Sequence, residues 1–75
     1  MVQTYIDAIE ASVPTSMGTW FQGYNNYGTE LAWFGYRMYQ NYCTVICFAG
    51  YNTNTILKGV RNNAGEWTFY RLYGQ

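Results

Sequence analysis

The chain has 75 residues, of which 21% are aromatic and 11% are charged, and its four basic and four acidic residues cancel to a formal net charge of zero. One small domain is therefore expected, and the neutral charge with four scattered basic residues argues against a nucleic-acid-binding surface, which needs clustered Lys and Arg. Histidine is absent, which removes the commonest general base from any catalytic mechanism.

The first predicted element is a helix within residues 1–13. Its apolar stripe, with the spacings of one helical face, consists of Val2, Tyr5, Ile6 and Ile9. Pro14 disfavours helical geometry at the residue before it and so ends the helix. Asp7 and Glu10 lie on the polar side, where we expect them to be solvated. Two arrangements remain open, because the helix can pack as a lid on its own sheet or form the last turns of a stalk.

The rest of the chain, residues 14–75, shows the pattern of strands separated by turns about every ten residues. The five predicted strands cover residues 19–24, 31–40, 42–51, 56–60 and 66–73. The third is the most hydrophobic and is expected to be central, and Gly35 in the second is a candidate for a bulge or bend. We therefore predict a mainly β (α+β) fold, a small antiparallel meander or open barrel of about five strands preceded by one short helix.

Two cysteines, Cys43 and Cys47, lie four residues apart in the predicted central strand. Strand geometry places their Cα atoms about 13 Å apart on one face. A disulfide tolerates a separation of only about 7 Å. We expect two free thiols that are buried as small apolar side chains.

The last predicted strand carries large rings on both faces. Side chains alternate along a strand, so Trp67, Phe69 and Tyr73 share one face, whereas Tyr70 and Leu72 lie on the other. A hairpin of a small monomer normally leaves one face to water. We therefore predict that one aromatic face contacts neighbouring subunits. The candidate interface residues are Val2, Tyr5, Ile9, Trp67, Phe69 and Tyr73.

The residue types that catalysis and metal binding need are scarce. The carboxylates are dispersed, and no histidine is present to activate a cysteine or to hold zinc. No glycine-rich phosphate-binding loop occurs. We predict that the chain is not an enzyme and that it needs no metal or cofactor.

Tyrosine and asparagine dominate two of the predicted turns. Tyrosine offers a large contact area with a hydroxyl at its tip, and asparagine offers donors and an acceptor on a short side chain. These residues suit carbohydrate, whose C–H faces lie on rings while its hydroxyls pair with amides. Asparagine also forms turns in any β protein, so turn formation and ligand binding both remain open. The candidate ligand-binding residues are Tyr24, Asn25, Asn26, Tyr27, Tyr51, Asn52 and Asn54.

Two segments of the chain carry a family resemblance. The residues concerned are Tyr36, Tyr39 and Gln40 in the second strand, and Arg61, Gly65, Trp67, Tyr70, Arg71 and Leu72 near the end. Over residues 18–74 their order resembles the knob-type domains at the C-terminal tips of phage tail fibres and R-type pyocin fibres. The resemblance implies a homotrimeric fibre tip on the virion that attaches to a glycan or another receptor on the host cell surface. Residues 2–12 would then end a stalk.

Two other functions remain open. The chain can be a free-standing phage protein that binds and inhibits a host protein, or a structural trimerisation unit of a fibre without a ligand. No apolar run reaches the roughly 18 residues of a membrane span, so we expect no membrane insertion. Partners are therefore expected to be other copies of the chain and a surface receptor.

Overall fold

The computed structural model describes residues 1–50 and 54–74. This part of the chain contains one helix and five strands, in an order that follows the predicted elements. They are α1 (Gln3–Ser12), β1 (Thr19–Asn26), β2 (Glu30–Arg37), β3 (Cys43–Ala49), β4 (Thr55–Arg61) and β5 (Trp67–Tyr73). The helix ends just before Val13, which is extended, as expected for the residue preceding a proline.

The five strands form one antiparallel sheet in the order β1-β2-β3-β4-β5, so that each strand pairs with its neighbour in sequence. The hydrophobic third strand is central, as predicted. Strands β1 and β5 are the two edges, and the sheet is therefore open. Of the two predicted architectures, the meander is confirmed.

The helix packs across one side of the sheet, which we call the covered face. The buried or half-buried apolar strand residues on the covered face include Phe21, Leu31, Trp33, Cys43, Val45, Cys47, Leu57, Trp67 and Phe69. Tyr5 and Ile9 of the helix complete the same core, and Ile9 is fully buried. The helix is thus a lid on its own sheet, which is one of the two arrangements left open by the sequence.

Gly35 provides space for a ring in the covered face. It pairs with Phe21 on one side and with Val45 on the other without a break in register. A Cβ at this position would lie 2.4 Å from Val45 Cγ1 and 2.8 Å from Phe21 Cζ, closer than side-chain atoms can approach. The unbroken register excludes the bulge, one of the two features for which Gly35 was a candidate, and the glycine serves close packing instead.

A register shift occurs in the last strand pair. Leu57 pairs with Arg71, whereas Ile56 pairs with Tyr73, so that Leu72 is an extra residue in β5. Directly paired residues share a face, and the bulge therefore moves Tyr73 to the side opposite the helix. The strict alternation predicted for this strand fails at Tyr73 for that reason.

Both cysteines are free and buried in the covered face, as predicted. Burial removes water that would stabilise a thiolate, and it raises the pKa of Cys43. The same cause raises the pKa of Cys47 to about 12. Both thiols therefore stay protonated and poorly nucleophilic at neutral pH.

A polar contact joins the helix to the far end of the covered face. The buried Arg61 donates from Nη1 to Glu10 Oε2 at 2.6 Å and from Nε to the Asn41 carbonyl at 2.8 Å. Trp67 Nε1 donates to the other oxygen of the Glu10 carboxylate at 2.9 Å. The expectation that Glu10 is simply solvated is wrong, because its carboxylate connects α1 to β4 and β5.

Candidate functional site

The side of the sheet opposite the helix is apolar and uncovered within the described chain. We call it the open face. It consists of the strand residues that alternate with those of the covered face, together with Tyr73. Its most exposed large side chains are Trp20, Tyr24, Phe34, Phe48, Tyr70, Leu72 and Tyr73. Trp20, for example, keeps 63% of its surface accessible to solvent.

Three rings on β1 and β2 form a packed cluster on the open face. Trp20 stacks on Phe34, with ring centroids 5.1 Å apart and planes inclined by 18°. Trp20 also contacts Tyr36 with a centroid distance of 4.5 Å and an angle of 56°. These are favourable aromatic geometries, so the rings support one another before any partner binds.

The open face is large for an exposed apolar surface. Its half-exposed rings and Leu72 leave on the order of 600 Å² of apolar side-chain area, because each aromatic side chain has roughly 150–250 Å² to bury. The largest apolar patch of a typical monomer is about 300–600 Å². A standard protein interface buries about 800 Å² on each partner. The open face therefore has the size and chemistry of an interaction surface.

Few charges interrupt this surface. Among the described residues of the open face, Lys58 lies near the middle and Glu30 lies at one end. The Glu30 carboxylate accepts the Tyr24 hydroxyl at 2.6 Å, and this hydrogen bond raises the pKa of Tyr24. Two such faces can therefore meet without a large excess of like charge.

Most residues predicted to contact neighbouring subunits lie elsewhere. Tyr5 and Ile9 are in the chain's own core. Trp67 and Phe69 stack on each other at 5.8 Å on the covered face, where they are half-buried. Val2 is exposed at the start of the helix. Tyr5 and Ile9 are therefore not available to a neighbouring subunit, whereas Val2 and Tyr73 remain exposed.

The β1–β2 connection and the described ends of the β3–β4 connection lie at one end of the sheet, which we call the Tyr/Asn-rich end. The Gly50 amide after β3 donates to the Glu30 carbonyl at the start of β2, at 2.7 Å. The predicted ligand-binding residues that this end contains are Tyr24, Asn25, Asn26, Tyr27 and Asn54. Tyr51 and Asn52 lie outside the described residues.

Asparagines at the opposite end serve turn structure. The Asn62 side-chain oxygen accepts the amides of Ala64 and Glu66 at 3.0 and 2.9 Å. Asn41 Nδ2 donates to the Asn63 carbonyl at 2.9 Å, which joins two connections. Turn formation accounts for the asparagines at this end.

The sequences of β1 and β2, as well as that of β5, contain a pattern that indicates the open face. Trp20 is followed by Phe21 in β1, and Trp33 is followed by Phe34 in β2. Adjacent aromatic residues in one strand place one ring on each face of the sheet. These two pairs therefore indicated an aromatic surface on both sides of the first two strands.

No protein-family model, curated protein or solved structure matches the chain. The resemblance to fibre-tip domains stays a prediction. In residues 1–50 and 54–74, no helix is both long and apolar enough to cross a bilayer. The same residues contain no group of three His, Cys, Asp or Glu side chains placed to hold a metal ion.

Proposed function

We propose that this chain is a homotrimeric attachment module of the phage tail-fibre tip type, which binds a glycan on a cell surface. The observation that carries the proposal is the open face, a broad aromatic surface that the chain's own helix leaves uncovered. Exposed apolar surfaces of this size mark interaction sites.

Other copies of the chain suit the open face in charge and in layout. The chain has no net charge, so copies do not repel one another at long range. A cyclic trimer uses two different patches of each subunit. The open face supplies two, since Trp20 and Phe34 lie towards the β1 edge, whereas Tyr70 and Leu72 lie on the β5 edge.

The Tyr/Asn-rich end gives the assembly its attachment surface. In a trimer with a shared axis along the sheet, three copies of this end would point in the same direction. Three weak sites on one particle bind a surface far more tightly than one site does. Self-association and receptor binding therefore belong to one function.

The mass of the particle in dilute native buffer tests the assembly. We expect native mass spectrometry to show three times the mass of the 8.7 kDa chain. Phe34→Lys should dissociate the particle, because it places a charge in the apolar interface. Gln3→Lys adds the same charge to the exposed side of the helix and should leave the mass unchanged.

Two results would contradict the proposed assembly. A wild-type monomer at all concentrations would favour the alternative in which the open face binds a different protein. Dissociation by Gln3→Lys but not by Phe34→Lys would place the interface on the helix.

Attachment is tested separately with a printed glycan array, on which the wild-type protein should bind a defined subset of saccharides.

A further inference from the structure

A groove runs between α1 and the edge strand β1, on the covered side of the sheet. Its volume of about 620 Å³ lies within the roughly 300–1,000 Å³ of small-molecule sites. Ala8 and Ala11 form the helix wall, and their small side chains leave the groove wide. Gly23 contributes no side chain on the strand wall, because the Trp33 ring occupies that position, 2.1 Å from where a Cβ would be.

The Trp33 indole at the base of the groove is fixed in place. Its Nε1 donates to Ser12 Oγ at 2.8 Å, and Ser12 Oγ donates to the Ile9 carbonyl at 2.6 Å. The indole N–H is therefore satisfied within the protein. A ligand meets a rigid aromatic base and does not have to order it.

A second ring, that of Tyr27, stands at the mouth of the groove. It packs on Tyr5 with a centroid distance of 5.8 Å and an angle of 60°, yet 59% of its residue surface is exposed. Tyr5 is itself anchored, because its hydroxyl donates to the Thr29 carbonyl and accepts the Thr29 amide. Tyr27 thus offers a supported ring with free surface, which suits the C–H face of a sugar.

Polar groups complete the lining near these rings. Asp7 accepts Gln3 Nε2 at 2.8 Å through Oδ1 and retains further acceptor capacity on its carboxylate. Asn25 pairs with Leu31 and therefore lies on the groove side of β1, where its amide can donate and accept. The described lining contains one carboxylate and neither lysine nor arginine, which disfavours anionic ligands.

We propose that this groove is the saccharide-binding site and that it takes an uncharged sugar unit. The Tyr27 ring contacts the C–H face of the sugar, the Asp7 carboxylate accepts adjacent hydroxyls, and the Asn25 amide pairs with a third polar group. This inference rests on the proposed attachment function and assigns its site to the groove side of the Tyr/Asn-rich end.

The test uses the intact wild-type protein on a printed array of neutral, sialylated and sulfated saccharides, followed by calorimetry with the best soluble saccharide. We expect neutral saccharides to bind. Asp7→Ala and Tyr27→Ala should each weaken the dissociation constant at least about tenfold, with particle mass and melting temperature unchanged. Asp7→Asn keeps one acceptor and should lose less affinity than Asp7→Ala.

A matched control lies away from the groove. Tyr39→Ala removes an exposed tyrosine at the opposite end of the sheet and should bind as the wild type does. Binding that survives Asp7→Ala and Tyr27→Ala, or a preference for acidic sugars, would overturn the groove while attachment stands. A blank array for the wild type would overturn glycan attachment itself, and the groove with it.

Discussion

The covered face and the open face both carry aromatic rings, but they are built differently. Glycines 23, 35 and 59 all lie on the covered face, where each has a ring from a neighbouring strand over it. The described strand residues of the open face include no glycine. The covered face also buries a charge, Arg61, against a helix carboxylate. Its rings are buried or half-buried, whereas those of the open face are largely exposed.

This difference separates two kinds of apolar surface. On the covered face, the rings over the glycines pack within the chain beneath the core residues of the helix, and the groove beside β1 is the part left accessible. On the open face, rings such as Trp20 and Phe34 support one another but retain much of their exposed area. An apolar pattern on a strand therefore shows that a surface is suited to burial. Glycines that lie under rings of neighbouring strands indicate that this burial occurs within the same chain.

Removing one phenylalanine from each face tests the comparison most strongly. Phe21 is buried on the covered face, and Phe34 is half exposed on the open face. Phe21→Ala should lower the free energy of unfolding by about 3–5 kcal/mol. In dilute protein, Phe34→Ala should cost less than about 1 kcal/mol, as surface substitutions do.

Urea unfolding at a series of protein concentrations provides the measurement. The Phe21→Ala loss should be the same at every concentration, because it arises within one chain. The Phe34→Ala loss should grow with concentration as the interface contributes. Equal, concentration-independent losses would show that the two faces are buried alike within the single chain.

The polar contact between helix and sheet should produce the next largest effect. Glu10→Ala leaves the Arg61 side chain, which is 8% exposed, without its carboxylate. We expect a loss of about 3 kcal/mol, the lower end for breaking a buried ion pair, because Glu10 itself is 47% exposed. Asp7→Ala, one turn earlier on the helix, is the control and should change stability by no more than about 0.5 kcal/mol. Similar unfolding curves for the two variants would show that Glu10 does not stabilise the lid.

The burial of Cys47 in the covered face predicts a pH-dependent effect, which is smaller for each pH unit. Folding raises the pKa of Cys47 to about 12, whereas an unfolded cysteine titrates near pH 8.5. Between these values the unfolded chain binds fewer protons than the folded chain, so stability falls as the pH rises from about 9 to 12. The contribution of this thiol is at most about 1.4 kcal/mol per pH unit.

Comparison with a Cys47→Ala variant isolates the contribution of the thiol from those of tyrosine and lysine. The free energy of unfolding of the variant should fall less steeply with pH over the same range. Equal slopes for variant and wild type would mean that the Cys47 thiol is accessible to water in the folded protein.

Local patterns predicted much of the fold. The helix, the five strands, the central position of the third strand and the two free thiols all follow from spacing and turn residues within about ten positions. The described candidate ligand-binding residues lie at one end of the sheet, because in a meander every second connection lies at the same end.

Long-range contacts escaped prediction. Glu10 and Arg61 are 51 positions apart, and each alone looks like an ordinary surface charge. The bulge that turns Tyr73 to the open face depends on how β5 pairs with β4. The groove combines helix residues with β1 and β2, and no local pattern joins them. These features depend on which helix and strands contact one another, and the spacing of residues along the chain does not predict those contacts.

The sequence by itself determined that the strands of a meander would carry apolar rings on two sides, since adjacent aromatic residues in a strand must point in opposite directions. Only the tertiary structure decided which side the chain would bury. A ten-residue helix with one apolar stripe can cover one face of a five-stranded sheet but not both. It packs on the face that holds Gly23, Gly35 and Gly59, and the opposite face stays exposed in the described chain.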